Sequence, residues 1–151
     1  MAQSQFPALA ADRSLIAHGA IMTLLGILSG ITTMFAKAPV AALSAHTLGT
    51  VQGALLFGLA AIWPALGTSR VVTAARYCAL IGLYANWIGS QLAAFWSARA
   101  MFVVSGSAMP AGAAPWMETI VAILLPISGL VIVMCVLILW ALRSKPVEPA
   151  G

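Results

Sequence analysis

The chain has 151 residues, of which 62% are hydrophobic and only 7% are charged. A soluble domain usually carries about 25% charged residues, so this composition excludes an ordinary soluble enzyme and predicts a membrane protein. The formal net charge of +4 comes from seven basic and three acidic residues. Membrane topology is enough to explain it, and we expect no nucleic-acid partner.

Four long apolar runs organise the chain: 14–36, 43–63, 71–97 and 118–142. Each reaches the roughly 20 residues that a helix needs to cross a bilayer, and only helices of this kind satisfy their backbone inside lipid without a partner. The sequence therefore predicts an all-α polytopic membrane protein. We expect one domain over residues 1–151, with four transmembrane helices in an antiparallel bundle and an uncleaved first helix.

Basic residues are distributed unevenly about these four crossings, which put both termini on one side. Five lie on the side of the termini and two on the other: Arg13, Arg70, Arg76, Arg143 and Lys145 against Lys37 and Arg99. This bias predicts cytoplasmic termini in a bacterial inner membrane. We expect Arg76, about 9 Å into its helix, to extend its side chain to the interface, and Asp12 to belong to a loose N-terminal tail.

A histidine interrupts the second run, "LSAHTLGTVQGALLFGLAAIWP" (43–64). An ionisable residue within a membrane segment is a functional candidate. At 100° per residue, Gly49 and Gly53 share the face of His46. Two interpretations stay open: close helix packing with His46 hydrogen-bonded across the contact, or His46 as a ligand that holds a flat cofactor against a face without side chains.

The other histidine, His18, lies near the start of the first run. Because neighbouring helices run in opposite directions, we expect about 22 Å between His18 and His46 along the bundle, too far for one metal. If His46 binds a haem iron, it is then the only protein ligand from its subunit, and the open position suits substrate chemistry. For His18 we expect a hydrogen-bonded packing role.

The third run, "CALIGLYANWIGSQLAAFW" (78–96), carries polar residues on opposite faces. Asn86 shares one face with Gly82 and Ser90, while Tyr84 and Gln91 lie on the far side. We expect both sides to be buried, which in a four-helix protomer indicates a neighbouring subunit and therefore a homo-oligomer.

Glu118 is the one acidic residue near the membrane interior. We expect it to cap the fourth helix, where negative charge is favourable, with proton handling as the alternative. The chain has no zinc motif, P-loop, dinucleotide fingerprint or nucleophile–base pattern.

Three motifs, "LSAHTLGTVQG" (43–53), "WPALGTS" (63–69) and "GLYANWIGSQLAAFW" (82–96), resemble the hydroxylaminobenzene mutase family. Its members are bacterial membrane isomerases of nitroarene degradation. "AHG" (17–19) and "ALRS" (141–144) extend the resemblance over about residues 14–144. This family is similar to styrene oxide isomerase, a trimeric four-helix membrane enzyme with haem b between its subunits.

The resemblance implies a cofactor, a reaction and a set of site residues. It implies His46 as the axial ligand of haem b, with Gly49 and Gly53 beside the cofactor, in a homo-oligomer suspected to be a trimer. The implied reaction converts N-arylhydroxylamines, small aromatic substrates, to ortho-aminophenols, with ferric haem as Lewis acid. The expected catalytic residues are Gln52 and Asn86, which orient substrate heteroatoms, Tyr84, which donates a hydrogen bond or stacks on the ring, and Ser90.

The chain departs from the epoxide isomerase pattern at three positions. Gln52 stands where that pattern has Asn, and Gly82 and Ser90 stand where it has Asp and Tyr. These differences favour the hydroxylamine substrate. Epoxide-to-aldehyde isomerisation, a haem electron carrier or sensor, and a cofactor-free scaffold with His46 as a packing residue remain as alternatives.

Overall fold

The computed structural model describes residues 11–100, 109–110 and 112–143, and its regular elements in these ranges are all helices. They are α1 (Arg13–Thr32), α2 (Pro39–Leu66), α3 (Arg70–Trp96), α4 (Pro115–Ile127) and α5 (Leu130–Arg143). Four segments are long and apolar enough to cross a membrane: α1, α2, α3 and the joined α4–α5 segment, Pro115–Arg143. The prediction of an all-α membrane protein with four spanning segments is confirmed.

The helices pack in chain order, α1 on α2, α2 on α3, and α3 on both α4 and α5. α1 and α2 are antiparallel, since Gly26 meets Gly49 while Gly19, earlier in α1, meets Phe57, later in α2. The main buried cluster lies where α2, α3 and α5 meet and includes Leu15 and Met22 of α1. This order places α1 and α4–α5 on opposite sides of α3.

Glycines bring α1 and α2 into backbone contact. A Cβ on Gly26 would lie 2.5 Å from the backbone nitrogen of Thr50, and one on Gly53 would lie 2.9 Å from the carbonyl oxygen of Gly19. Helices in lipid gain little from hydrophobic association, so close van der Waals packing of small residues is what holds such pairs together. The α1–α2 contact therefore depends on the absence of side chains at these positions.

Two helix boundaries differ from the sequence-based prediction at the first connection. α1 ends at Thr32, four residues before the end of the predicted run, and α2 begins at Pro39. Proline suits the first position of a helix because the N–H it lacks would have no partner there. Pro39 therefore begins α2, four residues before the start of the predicted run.

The fourth spanning segment is two helices, which the apolar pattern of 118–142 did not reveal. α4 ends at Ile127 and α5 begins at Leu130. Pro126 cannot donate a helical hydrogen bond, and the chain turns through two short-range bonds, from Ser128 N to Leu125 O and from Gly129 N to Pro126 O. A continuous apolar run therefore conceals a break inside the membrane-spanning segment.

Asp12 and Arg76 form an ion pair, which corrects two expectations. Arg76 Nη1 and Nη2 lie 2.6 and 3.0 Å from the two carboxylate oxygens of Asp12. Asp12 also caps α1 by accepting from the backbone nitrogens of Ser14 and Leu15, each at 3.0 Å. Asp12 is thus a structural residue and not part of a loose tail, and Arg76 binds it instead of extending alone to the interface.

The same contacts set the acidity of Asp12. The guanidinium of Arg76 hydrogen-bonded to it holds the pKa of this carboxyl below its ordinary value of 3.8, and the backbone bonds of the cap act in the same direction against the effect of burial. The pair fastens the first turn of α1 to α3.

Candidate active site

His46 is half-buried at the edge of the α1–α2 contact. Its Nδ1 lies 2.7 Å from the carbonyl oxygen of Gly26. Because a carbonyl can only accept, Nδ1 is the donor, and in the neutral imidazole the lone pair is then on Nε2. Nε2 has no hydrogen-bond partner among the described residues. A carbonyl that fixes the tautomer in this way is typical of metal-ligating histidines.

Gly30 makes room for this imidazole. A Cβ at Gly30 would lie 3.2 Å from Nδ1 of His46. The pair Gly26 and Gly30, which is itself a G-x-x-x-G pattern in α1, therefore supplies both the acceptor and the space. This pattern was visible in the sequence, but its relation to His46 was not inferred.

Gly49 and Gly53 pack against α1. A Cβ on Gly49 would lie 2.8 Å from the backbone nitrogen of Gly26, and one on Gly53 would lie 2.8 Å from that of Thr23. No space for a cofactor remains above these glycines within the protomer. Within the protomer the packing interpretation describes both glycines, and their expected place beside haem stays a prediction.

Tyr84 binds His18 across the α1–α3 contact. The hydroxyl of Tyr84 lies 3.1 Å from Nδ1 of His18, and the two rings meet edge to face with centroids 5.8 Å apart. His18 is thus hydrogen-bonded, as expected. Because His46 binds the carbonyl of Gly26, eight residues beyond His18 on α1, the two histidines are about 12 Å apart along the helix, closer than the 22 Å expected but still too far for one metal.

Gln52 is buried, and its Oε1 has no hydrogen-bond partner among the described residues. It lies on the stripe of α2 that includes Leu59 and Leu66, two members of the cluster shared with α3. His46 is about 120° away around α2, on the face that meets Gly26 and Gly30 of α1. The two side chains therefore lie on different faces of α2.

Asn86 and Ser90 lie on α3 near the break in the fourth spanning segment. Gly82 packs against Val131 of α5 and Gly89 against Leu125 of α4, so Asn86 between them is level with the α4–α5 junction. Asn86 is half-buried and Ser90 is buried, and neither side chain makes a hydrogen bond to another described residue. Asn86 is thus a polar group at mid-helix that no described contact uses.

The other polar face of α3 meets α1 through Ser29. Trp87 Nε1 donates to Ser29 Oγ at 3.1 Å, and Gln91 Nε2 donates to the same hydroxyl. Burial of α3 on two sides is therefore present, but α1 and α4–α5 of the same chain provide it. These contacts account for both polar faces of α3 without a second copy, so the pattern alone does not indicate a neighbouring subunit, and the homo-oligomer stays a prediction. Sequence reasoning had overlooked Ser29.

Glu118 lies in the first turn of α4, where negative charge is favourable. Its two carboxylate oxygens accept from the backbone nitrogens of Arg99 at 2.9 Å and Ala100 at 3.0 Å. The carboxylate thus ties the segment after α3 to α4. Ala114 occupies the N-cap of α4 without a side-chain hydrogen bond. Glu118 therefore does not cap the backbone of α4 but binds the backbone of the segment that follows α3.

Among the described residues, no three potential metal ligands of the His, Cys, Asp and Glu types cluster together. His46, whose Nε2 has no hydrogen-bond partner among the described residues, is a candidate single donor.

Comparison with known proteins identifies the family to which this chain is similar. A model of the family described as styrene oxide isomerase matches residues 11–143. Hydroxylaminobenzene mutase HabB of Ectopseudomonas oleovorans is 35% identical over 136 residues, covering 89% of this chain and 82% of that protein. Hydroxylaminobenzene mutase HabA of the same organism is 38% identical over 87 residues, 57% of this chain and 64% of that protein. No solved structure matches.

The matched region extends from the cap of α1 to the last residue of α5 and includes the whole four-span bundle. The resemblance inferred from the motifs around His46 and Asn86 is confirmed, and the relatives are isomerases by name. This chain belongs to the styrene oxide isomerase family and is a membrane isomerase related to the hydroxylaminobenzene mutases.

Proposed function

We propose that this protein rearranges N-arylhydroxylamines to ortho-aminophenols, using haem b held by His46. The names of its two relatives support the reaction. The observation that supports the cofactor is the hydrogen bond from Nδ1 of His46 to Gly26, which leaves Nε2 free for iron. Ferric haem would supply a Lewis acid at the substrate heteroatom, so that the departing oxygen needs no carboxylic acid.

The reaction is an isomerisation: the N–O bond breaks, a C–O bond forms at the ortho carbon, and the proton that leaves this carbon as the ring regains aromaticity is balanced by one gained at nitrogen, which becomes the amine. The protein must orient the hydroxylamine and keep stray nucleophiles from the cationic ring. The apolar helices around the site serve the second purpose by excluding water. Asn86 and Gln52, whose amide groups have unused hydrogen-bonding capacity, serve the first.

We further propose that the active site forms between two copies of the chain. His46 lies on the face of α2 that meets α1, whereas Gln52 lies on the α3 side and Asn86 near the α4–α5 junction. A cofactor on His46 would lie at the protomer surface and needs another copy to cover it. A closed ring of copies, such as a trimer, gives every subunit the same relation to its neighbour.

Absorption spectroscopy tests the cofactor first. We expect a Soret band in the detergent-purified protein that shifts when phenylhydroxylamine is added, together with formation of 2-aminophenol. A low-spin band that does not respond would favour the electron-carrier alternative. Absence of the band after expression with added haem would contradict the proposed cofactor and return His46 to a packing role.

Replacement of His46 by alanine should remove both haem and activity, because it removes the ligand. His18→Ala is the matched control: it deletes a second half-buried histidine from a spanning helix and should leave the haem content unchanged. Full activity in haem-free His46→Ala protein would contradict the mechanism.

Mixed oligomers test the shared site. His46→Ala and Asn86→Ala subunits should each be inactive alone. When co-expressed in equal amounts they should recover about a quarter of wild-type activity, since half of the subunits offer His46 and half of their neighbours offer Asn86. No recovery in oligomers shown to contain both variants would place the site within one protomer.

The family description supports a second candidate, the conversion of an aryl epoxide to an aldehyde. The same preparation should therefore be assayed with styrene oxide for phenylacetaldehyde. Turnover of the epoxide in preference to phenylhydroxylamine would assign the second reaction. The proposed location is a bacterial inner membrane with cytoplasmic termini, on the basic side that carries Arg13, Arg70, Arg76 and Arg143.

A further inference from the structure

A cavity of about 480 Å³ opens at the end of the bundle where the chain termini lie. Its walls come from the start of α1, the end of α2, the α2–α3 connection and the first turns of α3. It lies far from His46, which is near the other end of α2, and the proposed reaction does not use it.

Unused hydrogen-bond donors line this cavity. Arg13 is exposed and has no ion pair among the described residues. Trp63 is only 6% exposed, yet its indole N–H has no acceptor in the part of the chain that the structure describes. The hydroxyl of Thr68 makes no hydrogen bond to a described residue either. A guanidinium, an indole N–H and a hydroxyl thus line the same cavity.

The acidic side chain in the wall is already hydrogen-bonded. Asp12, the acid that lines the cavity, receives two hydrogen bonds from Arg76 and two from the backbone of α1. Arg76 offsets its charge, so the positive charge of Arg13 is left over. A ligand that satisfies these groups must be an anion with several acceptor oxygens, and phosphate has this chemistry.

We infer that this cavity binds the phosphate of an anionic phospholipid headgroup. The cavity lies at the end of the spanning helices, at the depth where the headgroups of the surrounding bilayer are found. Basic pockets between spanning helices on the cytoplasmic side are typical headgroup sites, and a tryptophan such as Trp63 commonly marks that level. This inference is independent of the proposed function.

The test measures lipid binding to the complete purified protein in neutral detergent. Native mass spectrometry would count the bound lipids, and titration with short-chain phosphatidylglycerol or phosphatidylcholine would give their Kd values. We expect at least one phosphatidylglycerol retained per protomer, with an affinity at least tenfold above that for phosphatidylcholine.

Arg13→Gln should weaken phosphatidylglycerol binding about tenfold, because it removes the free cation of the site. Arg70→Gln is the matched control, since Arg70 is also exposed at this end of the bundle but does not line the cavity; its Kd should change less than twofold. Trp63→Phe, which keeps the aromatic ring and removes the N–H, should weaken binding severalfold and gives a second, independent variant.

Three results would overturn the inference. Equal affinity for the two lipids would exclude an anion site. An equal loss of phosphatidylglycerol affinity in Arg13→Gln and Arg70→Gln would indicate that the whole basic end of the bundle attracts the lipid. Displacement of phosphatidylglycerol by millimolar inorganic phosphate would assign the site to a free anion instead of a lipid. Because enzyme turnover is not the readout, failure here is distinguishable from failure of the proposed reaction.

Discussion

Gln52 is the residue at which stability and function are expected to conflict. Its buried Oε1 lacks a partner among the described residues, and an unsatisfied buried acceptor costs about 1–3 kcal/mol. Strain of this kind is commonly retained where a ligand relieves it. Gln52 is therefore a better candidate for substrate contact than burial alone would suggest.

The substitution Gln52→Leu should raise the free energy of unfolding by about 1 kcal/mol while lowering kcat/KM, because it removes both the unsatisfied acceptor and its proposed contact. Unfolding in mixed detergent micelles would measure the first effect. Gln91→Leu is the control: the Gln91 amide is hydrogen-bonded to Ser29, so this variant should be destabilised. A destabilised Gln52→Leu protein would mean that Oε1 has a partner after all.

At the scale of helices, the α1–α2 pair is held by backbone contact at glycines, and this contact also positions His46. The carbonyl of Gly26 is at once part of the helix contact and the acceptor for Nδ1 of His46. Packing and ligand orientation are thus two results of the same close approach. A change that separates the helices should loosen the imidazole as well.

Gly49→Ala should destabilise the protein by about 1–3 kcal/mol, because the added Cβ has no room beside Gly26 and the helices must separate. With haem on His46 as proposed, it should also broaden or diminish the Soret band through its effect on the imidazole. Gly58→Ala is the control on the same helix. No atom lies within 4 Å of its built Cβ, so this variant should be neutral or more stable by up to about 1 kcal/mol. Similar behaviour of the two variants would contradict the close contact.

The break between α4 and α5 belongs to the same scale. Pro126 and Gly129 interrupt an apolar run that crosses the membrane as a single segment by composition. Interrupted helices in membranes are tolerated where protein covers them or where they line a cavity. Here α3 covers the break with the face that carries Gly82, Asn86 and Gly89. The two glycines have no side chain, so the Asn86 amide is the polar group on this face.

At the scale of the whole molecule, the Asp12–Arg76 pair joins the start of α1 to α3 at the basic end of the bundle. The pKa of Asp12 is lower in the folded protein than its ordinary value of 3.8. Stability from this group is therefore fully present above about pH 4 and is lost as the pH falls through the lowered pKa. Above this range the pair should be insensitive to pH.

Asp12→Asn should lower the unfolding temperature at pH 7 and flatten its decline below pH 4, because the variant has no carboxylate to protonate. Thermal unfolding measured between pH 3 and 7 would show both effects. Glu118→Gln changes an acid at the other end of the bundle. Its unfolding temperature should still fall below pH 4, as that of the wild type does through Asp12. An identical acid profile in Asp12→Asn and wild type would show that the pair contributes nothing to stability.

The sequence by itself determined the class of the molecule, its four crossings, its family and the candidates His46 and Asn86. These properties follow from composition, run length and local motifs, none of which depends on how the helices meet. Contacts between distant residues required the tertiary structure: Asp12 with Arg76, His18 with Tyr84, and Ser29 with Gln91. A helical periodicity shows that a residue has a face, but not which helix covers it.

The glycines illustrate the same limit most clearly. Their spacing predicted a flat surface beside His46, and the sequence left open whether a cofactor or a helix would occupy it. Only the tertiary structure shows that α1 covers this surface within the protomer, because Gly26 and Gly49 let the two backbones come into contact. The same contact turned Nδ1 of His46 to a carbonyl and left Nε2 free, an orientation that a one-dimensional pattern does not contain.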